Sequence, residues 1–158
     1  MNYTFKENQL DYETYYILRK SVKWNNWSRE QAEIALKNSY YTVTVFDNTV
    51  AIGMGRAVGD GIYFMIMDIV VKPEYQRMGI GSTIIHMLLE HIEKNMCVGS
   101  RVSVQLISEP DKEQFYIKQG FKLIPHEYCG RLFIKKDRFM RIGKQEKSLT
   151  YIFALNKI

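Results

Sequence analysis

The sequence lacks several features on which whole classes of protein depend. It has two cysteines, Cys97 and Cys129, without CxxC or CxxH spacing, which argues against a zinc site and against a disulfide framework. The longest apolar stretch, Ile62 to Val71, is about ten residues long and contains Asp68, whereas a transmembrane helix needs roughly 20 residues. Residues 1–7 have no apolar core of the kind found in secretory signals. These absences predict a cytoplasmic protein without a bound metal or a membrane span.

The composition is that of one soluble globular domain. Of the 158 residues, 46% are hydrophobic and 25% are charged, and a chain of this length can bury a core without disulfides or metals. The 22 Lys and Arg residues exceed the 17 Asp and Glu residues, which gives a net charge of +5. Because the basic residues are scattered rather than gathered into one stripe, a polyanionic small molecule is favoured over nucleic acid as the partner.

The first half of the chain changes from helical to strand patterns. The spacing of apolar residues predicts helices over 12–24 and after Ser28, where Ser28 to Gln31 fits a capping box. Runs of β-branched and aromatic residues predict strands over 3–7, 41–46, 50–58 and 63–71. Gly53 and Gly55 within one of these runs indicate a bulge or a close approach of two backbones.

The second half has a strand–loop–helix–strand pattern. An apolar stripe predicts a helix over 82–94, and the crossover rule makes the next strand, at 102–106, parallel to the strand before the helix. A short helix is predicted over 111–119, followed by two closing strands at Phe121–Ile124 and Arg131–Ile134. The pattern therefore predicts the α+β class, built around a mixed sheet.

The loop before the amphipathic helix carries the first chemical motif. Gln76-x-x-Gly79-x-Gly81 opens that helix. Glycines let backbone N–H groups approach a phosphate closely, and the helix N-terminus adds the positive end of its dipole. Arg77 can add a charge-assisted contact. The spacing is neither that of a P-loop nor that of a dinucleotide fingerprint. A glycine-containing helix start without a ligand is the alternative interpretation.

A second motif, Phe115-Tyr116-Ile117-Lys118-Gln119-Gly120-Phe121, lies one strand and one helix downstream. With both motifs in this order, the stretch from Tyr41 to Ile134 resembles the GCN5-related N-acetyltransferases (GNAT). In the sequences of those enzymes, a strand is followed by the motif (Gln/Arg)-x-x-Gly-x-(Gly/Ala), a helix, a second strand, and a helix that ends in Phe-Tyr-x-x-x-Gly-Phe. The resemblance implies a mixed, mostly antiparallel sheet of about six to seven strands flanked by helices. It also implies that the fourth and fifth strands splay apart.

The resemblance implies an acetyl-CoA site and places it residue by residue. The exposed backbone of Ile69, Val70 and Val71 would pair with the pantetheine arm. Tyr116 matches the tyrosine that family members place near the thioester sulfur, as general acid for the departing thiolate, and aromatic packing is its alternative role. No metal is implied. The pyrophosphate would lie at the first motif, against Gln76, Arg77, Met78, Gly79, Ile80, Gly81 and Ser82.

Two carboxylates are candidates for accepting the proton of the attacking amine. Asp68 interrupts an otherwise apolar strand beside the expected splay, and its alternative role is that of a structural partner for Arg56 or for a backbone amide. Glu109 stands where many family members have an asparagine that contacts the cofactor. Because Pro110 follows Glu109, the helix that carries Tyr116 is expected to begin late.

The resemblance implies an enzyme that moves an acetyl group from acetyl-CoA, its co-substrate, to a primary amine by direct transfer. The segments 35–39 and 52–60 carry a weaker similarity to the branch that contains the plant and cyanobacterial serotonin N-acetyltransferases, which acetylate arylalkylamines and other primary amines. A small amine is therefore the leading acceptor. The alternatives are a protein N-terminus or lysine as acceptor, and a non-catalytic acyl-CoA-binding module.

The last part of the chain lies outside both motifs. Residues 1–135 are predicted to form the GNAT domain, and residues 136–158 a C-terminal extension. Ser148 to Leu155 within the extension is too apolar to remain exposed, so we expect it to dock on the domain or on a second subunit. The second arrangement would make the protein a homodimer.

Overall fold

The computed structural model describes residues 3–125, which belong to two compact units divided between Ile107 and Ser108. The second unit, as far as it is described, contains the helix α4 (Glu113–Lys118). The elements of the first unit are, in chain order, β1 (Thr4–Glu7), α1 (Tyr12–Ser21), α2 (Arg29–Lys37), β2 (Tyr41–Asp47), β3 (Val50–Gly59), β4 (Tyr63–Val71), a 3-10 turn (Pro73–Tyr75), α3 (Ile80–Asn95) and β5 (Ser103–Leu106).

The first unit is built on a five-stranded sheet in the order β1-β2-β3-β4-β5. Strands β1 to β4 pair with one another in antiparallel orientation, and β5 pairs with β4 in parallel. The parallel pair follows because α3 carries the chain back along the sheet before β5 begins. The predicted α+β class and mixed sheet are confirmed. No helix within residues 3–125 is long and apolar enough to span a membrane.

The expectation of six to seven strands is wrong for the described part of the chain, which has five. The predicted strand at Phe121–Ile124 has no regular structure. Leu123 and Ile124 are exposed, so burial does not favour a strand there, and Pro125 lacks the N–H that a ladder would need. The predicted strand at Arg131–Ile134 lies outside the described residues, as do the boundary at residue 135 and the extension.

Local backbone chemistry sets the bounds of the first two helices. The Ser28 hydroxyl accepts a hydrogen bond from the Gln31 backbone N–H (3.3 Å), which is the first half of the predicted capping box. Gln31 Oε1 accepts from the Ser28 hydroxyl (3.1 Å), whereas the second half of a capping box would take the backbone N–H of Ser28. A side-chain cap of this kind contributes about 1 kcal/mol. Helix α1 ends at Ser21 rather than at the predicted Trp24, because Lys23 adopts a left-handed φ of 61°.

Two glycines allow α3 to lie close against the sheet. A Cβ built on Gly55 would lie 2.5 Å from Ile84 Cγ2 and 2.6 Å from Ile69 Cδ1, and one on Gly53 would lie 3.1 Å from the Val70 carbonyl oxygen. The predicted close approach is therefore confirmed. Burial of a large apolar side chain contributes about 1.5–3 kcal/mol. The side chains that α3 buries are Ile80, Ile84, Ile85, Leu88 and Ile92, each at most 2% exposed.

The opposite face of the sheet is covered by α1 and α2. Side chains alternate along a strand, so Met54 points away from α3 while its glycine neighbours face it. The core on this face consists of Leu10, Tyr15, Leu18, Ala32, Met54 and Val70. Strand β4 consequently lies between a helical layer on each face.

Candidate active site

Strand β4 continues past the end of its parallel partner. The ladder between β4 and β5 ends with Ile66 and Leu106, whereas β4 runs on to Val71. Residues 67–71 therefore lie beyond the ladder, on an edge that β5 does not cover. The residues predicted to pair with pantetheine are the last three of this edge.

The backbone of Val71 faces away from β3. The Lys72 N–H donates to the Ile52 carbonyl (2.8 Å), and in an antiparallel ladder the adjacent residue directs its N–H and C=O to the other side. The Val71 carbonyl accepts a hydrogen bond from the Gln76 side-chain amide (3.0 Å). Two predicted cofactor residues, Val71 and Gln76, are thus in contact at the end of β4.

A bulge interrupts β4 just before this edge. The register between β3 and β4 shifts between Met54 and Arg56, so Asp68 and Ile69 both face Gly55. Asp68 has a left-handed φ of 52°, a conformation that an aspartate tolerates better than the β-branched residues around it. The bulge therefore fixes the backbone at the point where the predicted pantetheine-binding residues begin.

The Asp68 carboxylate lies between two buried arginines. Arg19 Nη1 donates to Asp68 Oδ1 and Arg56 Nε donates to Asp68 Oδ2, both at 2.5 Å. The Tyr15 hydroxyl also donates to Oδ2, at 3.4 Å. Burial, followed by the Asp68 charge, raises the pKa of Tyr15, so its hydroxyl remains protonated at neutral pH. The exposed fraction of the Asp68 side chain is 8%.

This cluster has the geometry of the structural alternative for Asp68, in which Arg56 is its partner. Both carboxylate oxygens accept hydrogen bonds from guanidinium groups, and removal of one member of such a buried pair costs about 3–5 kcal/mol. The sequence interpretation missed Arg19 and Tyr15. Arg19 follows Tyr15 by four positions in α1, so a charged residue on the apolar face of that helix was the pattern that could have indicated it.

The Gln76–Gly81 segment turns sharply before α3. Arg77 has a φ of 62° and Gly79 a φ of 81°, both in the left-handed region. Gly79 is the N-cap of α3. Among residues 3–125, no atom beyond the adjoining backbone lies within 4 Å of the position that a Cβ on Gly79 would take. Glycine is favoured there by the left-handed backbone conformation.

The first turn of α3 can offer backbone donors to an anion. The Thr83 N–H donates to the Gly79 carbonyl (3.0 Å), and the first backbone N–H groups of an α-helix point out of its N-terminal end. The first turn contains no acidic side chain. Ile80 directs its side chain into the core (2% exposed), so only its backbone can serve a ligand, while Arg77 and Met78 are exposed.

Tyr116 lies on α4 in the second unit. Its ring contacts Phe115 (centroids 5.0 Å apart) and Phe121 (6.3 Å), both with edge-on geometry. The Tyr116 carbonyl accepts a hydrogen bond from the Phe121 N–H (3.1 Å), so the second motif forms a compact helix end. Burial raises the pKa of Tyr116 and the Glu109 charge raises it further, which keeps the hydroxyl protonated at neutral pH. As expected, α4 begins late, because Asp111 adopts a φ of 65°.

Within residues 3–125, no three His, Cys, Asp or Glu side chains are grouped so that they could hold a metal ion. That the protein works without a bound metal stays a prediction from the sequence.

The comparisons with known proteins agree with the two motifs. A family model described as an acetyltransferase (GNAT) domain matches residues 11–134. The uncharacterized N-acetyltransferase ycf52 of Pyropia yezoensis is 32% identical over 106 residues, which are 64% of this chain and 59% of the relative. GCN5-related N-acetyltransferase 1, chloroplastic, of Arabidopsis thaliana is 35% identical over 89 residues, which are 55% of this chain and 43% of the relative.

Among solved structures, a GNAT-family acetyltransferase of Streptococcus pneumoniae superposes with a TM-score of 0.71 at 29% identity, covering 86% of this chain and all (100%) of that one. The chain spans 59% of the length of the algal relative and 43% of the plant relative. The family model nevertheless covers most of the chain, from α1 to beyond the second motif. The chain therefore belongs to the GNAT acetyltransferase family.

Proposed function

We propose that the protein transfers an acetyl group from acetyl-CoA to a primary amine by direct attack of the amine on the thioester. The observation that carries the proposal is the turn at Gln76–Gly81, which joins the uncovered edge of β4 to the start of α3. A strand edge followed by an anion-binding helix start suits a ligand with a chain of amides and a pyrophosphate. Acetyl-CoA has both parts.

In this proposal the pantetheine arm pairs with the outward-facing backbone groups of the segment 69–71. Val71 directs its N–H and C=O away from β3, whereas Val70, opposite Met54, directs its own toward β3. The pyrophosphate lies against the segment from Gln76 to Ser82. Backbone N–H groups of the strand can also stabilise the oxyanion that develops on the thioester carbonyl. The support is the end of the β5 ladder at Ile66, together with the left-handed turn at Gly79.

The chemical step needs one proton donor and one proton acceptor. The amine nitrogen bonds to the acetyl carbonyl carbon, the C–S bond breaks, and the departing thiolate takes a proton from the Tyr116 hydroxyl. The support for this role is the match of Tyr116 to the second motif. A tyrosine hydroxyl is protonated at neutral pH, as a general acid must be before it acts, and burial, which raises the pKa of Tyr116, keeps it so. The proton lost by the amine passes to water, and solvent reprotonates Tyr116.

We assign Asp68 a positioning role in place of the predicted role as base. Its two oxygens already accept hydrogen bonds from Arg19 and Arg56, and its side chain is almost completely buried. A carboxylate held in this way is poorly placed to accept a proton from an incoming ammonium group. It instead holds the bulge, and with it the start of the segment 69–71.

A small amine remains the proposed acceptor and the cytoplasm the proposed location. The apolar extension is proposed to dock on the domain or on a second subunit, and the second arrangement would make the protein a homodimer. The plant relative is chloroplastic by name, so fractionation of the source cell is the measurement for location. A protein N-terminus or a lysine is the competing acceptor class.

The test combines binding and turnover on the full chain. Calorimetry with acetyl-CoA should show one site, and release of the CoA thiol should depend on the amine offered. A panel of aryl, polyamine and aminoglycoside amines, with acceptor peptides alongside, identifies the class. Thiol release with small amines supports the proposal. Binding without release for any acceptor would contradict the enzymatic part and favour an acyl-CoA-binding module.

A further inference from the structure

Arg19 lies at the centre of an aromatic cluster. Its guanidinium carbon is 5.3 Å from the ring centroid of Tyr15, 5.0 Å from that of Trp24 and 6.0 Å from that of Trp27. Arg19 Nη2 also donates to the Asn25 carbonyl (2.7 Å). One side chain from α1 therefore contacts the backbone and both indoles of the segment Trp24–Trp27, which joins α1 to α2.

The same guanidinium is bound to the bulge in β4. Its other terminal nitrogen, Nη1, donates to Asp68 Oδ1 (2.5 Å), and Arg19 as a whole is 7% exposed. A guanidinium group is planar, so its two terminal nitrogens cannot move independently. A shift of Asp68 must accordingly move Arg19 relative to the indole rings or break one of these contacts.

We infer that Arg19 is a positioning residue that couples the Trp24–Trp27 segment to the bulge in β4. The functional part of this inference rests on the proposed function, because it takes acetyl-CoA to bind along Ile69–Val71, directly after Asp68. Binding there changes the surroundings of the indoles, and a ligand held by the segment changes the orientation of the β4 backbone. The two effects are reciprocal, because the same coupling free energy determines how each site responds to binding at the other.

The chain provides its own spectroscopic reporter. It contains two tryptophans, Trp24 and Trp27, and both lie against Arg19. Tryptophan emission thus reports on this segment alone. The chain also provides a control in Arg29, which lies 4.2 Å from the Tyr12 ring centroid but is exposed. Arg29 pairs with Glu33 on its own helix and with Glu13 on α1, and neither pair includes Asp68.

The first arm of the test needs no ligand. In the full chain, Asp68→Asn should shift the tryptophan emission, and the same substitution in an Arg19→Lys background should have a much smaller effect. Asp47→Asn is the control for the change of charge, since the Asp47 carboxylate accepts a hydrogen bond from Tyr75 elsewhere on the sheet. A folded Asp68→Asn protein with unchanged emission would overturn the inference. This arm also decides the matter if Arg19→Lys does not fold.

The second arm uses acetyl-CoA. We expect it to change the emission of the parent protein, and we expect Arg19→Lys to lose at least about half of that change while Arg29→Lys keeps it. In Arg19→Lys, kcat should fall by roughly tenfold, the scale of a small misplacement of reacting groups, with little change in the Kd for acetyl-CoA. A lower Tm with a full emission response would mean a merely structural role and would overturn the coupling. Absence of acetyl-CoA binding to the parent protein would instead contradict the proposed function, and the first arm would still test the coupling.

Discussion

Replacement of Asp68 by asparagine distinguishes the two roles considered for this residue, that of a catalytic base and that of a positioning residue. The substitution keeps the shape of the side chain but removes its charge. The new side-chain NH2 group then faces the N–H donors of one of the two guanidinium groups, and no hydrogen bond can form between two donors. Arg19 and Arg56 are then left without a counter-charge in a site where the Asp68 side chain is 8% exposed. The Asp68 oxygens are both 2.5 Å from a guanidinium nitrogen, so the substitution weakens two short, charge-assisted hydrogen bonds.

We expect Asp68→Asn to lower the free energy of unfolding by about 3 kcal/mol, the lower end of the range for a broken buried ion pair. In a unit of this size that corresponds to a fall in Tm of more than about 10 °C. Thermal unfolding of the parent protein and of the Asp47→Asn control gives the comparison. The control should change far less, because the Asp47 carboxylate accepts hydrogen bonds from two neutral groups, the Tyr75 hydroxyl and the Asn48 side-chain amide.

The rate of the same variant should fall by one constant factor from neutral to alkaline pH, at temperatures where it is folded. If Asp68 were the base, the loss would be largest at neutral pH and part of it would return at alkaline pH, where more of the substrate amine is already neutral. An unchanged Tm together with that recovery would refute the positioning role.

Three further predictions follow from the site and the fold. Gly79→Ala should weaken acetyl-CoA binding at least about tenfold by calorimetry, whereas Gly61→Ala, with a comparable φ of 97° and open surroundings, should leave the affinity unchanged. Tyr116→Phe should lower kcat roughly 10²-fold with little effect on the Kd for acetyl-CoA, and equal losses in both would indicate a binding role. Burial and the hydrogen bond to Glu7 raise the pKa of Tyr41, so the stability that its neutral hydroxyl contributes is present below about pH 10 and is lost as the pH rises further. In urea unfolding, Tyr41→Phe should therefore lose less stability at alkaline pH than the parent protein, and the same pH dependence in both proteins would contradict this prediction.

The strands and the long helix can be predicted because their patterns are strong and local. The run from Tyr63 to Val71 predicts β4 at its observed bounds, and the apolar stripe predicts α3 to within two residues at its start and one at its end. The closing strand predicted at Phe121–Ile124 is wrong because a short apolar run does not say whether a partner strand will bury it.

The candidate site can be predicted only where a backbone conformation requires a particular residue type, because that requirement leaves a motif in the sequence. The turn around Gly79 can be predicted because a left-handed N-cap favours glycine. The glycine pair in β3 indicates a bulge or a close approach, and the bulge does lie opposite Gly55, but the sequence does not say that the extra residue is on β4 at Asp68, because that depends on tertiary pairing. The role of Arg19 escapes prediction for the same reason, because its partner lies 49 positions away in the chain.

Acetyl transfer to an amine is tested most directly by counting products on both sides of the reaction. The full chain is incubated with acetyl-CoA and an acceptor amine, the thiol released is titrated, and the acetylated amine is quantified by mass spectrometry. We predict one N-acetylated amine for each thiol, and negligible thiol without the amine. Thiol release at the same rate in the absence of amine, or bound acetyl-CoA that yields neither product, would contradict the account.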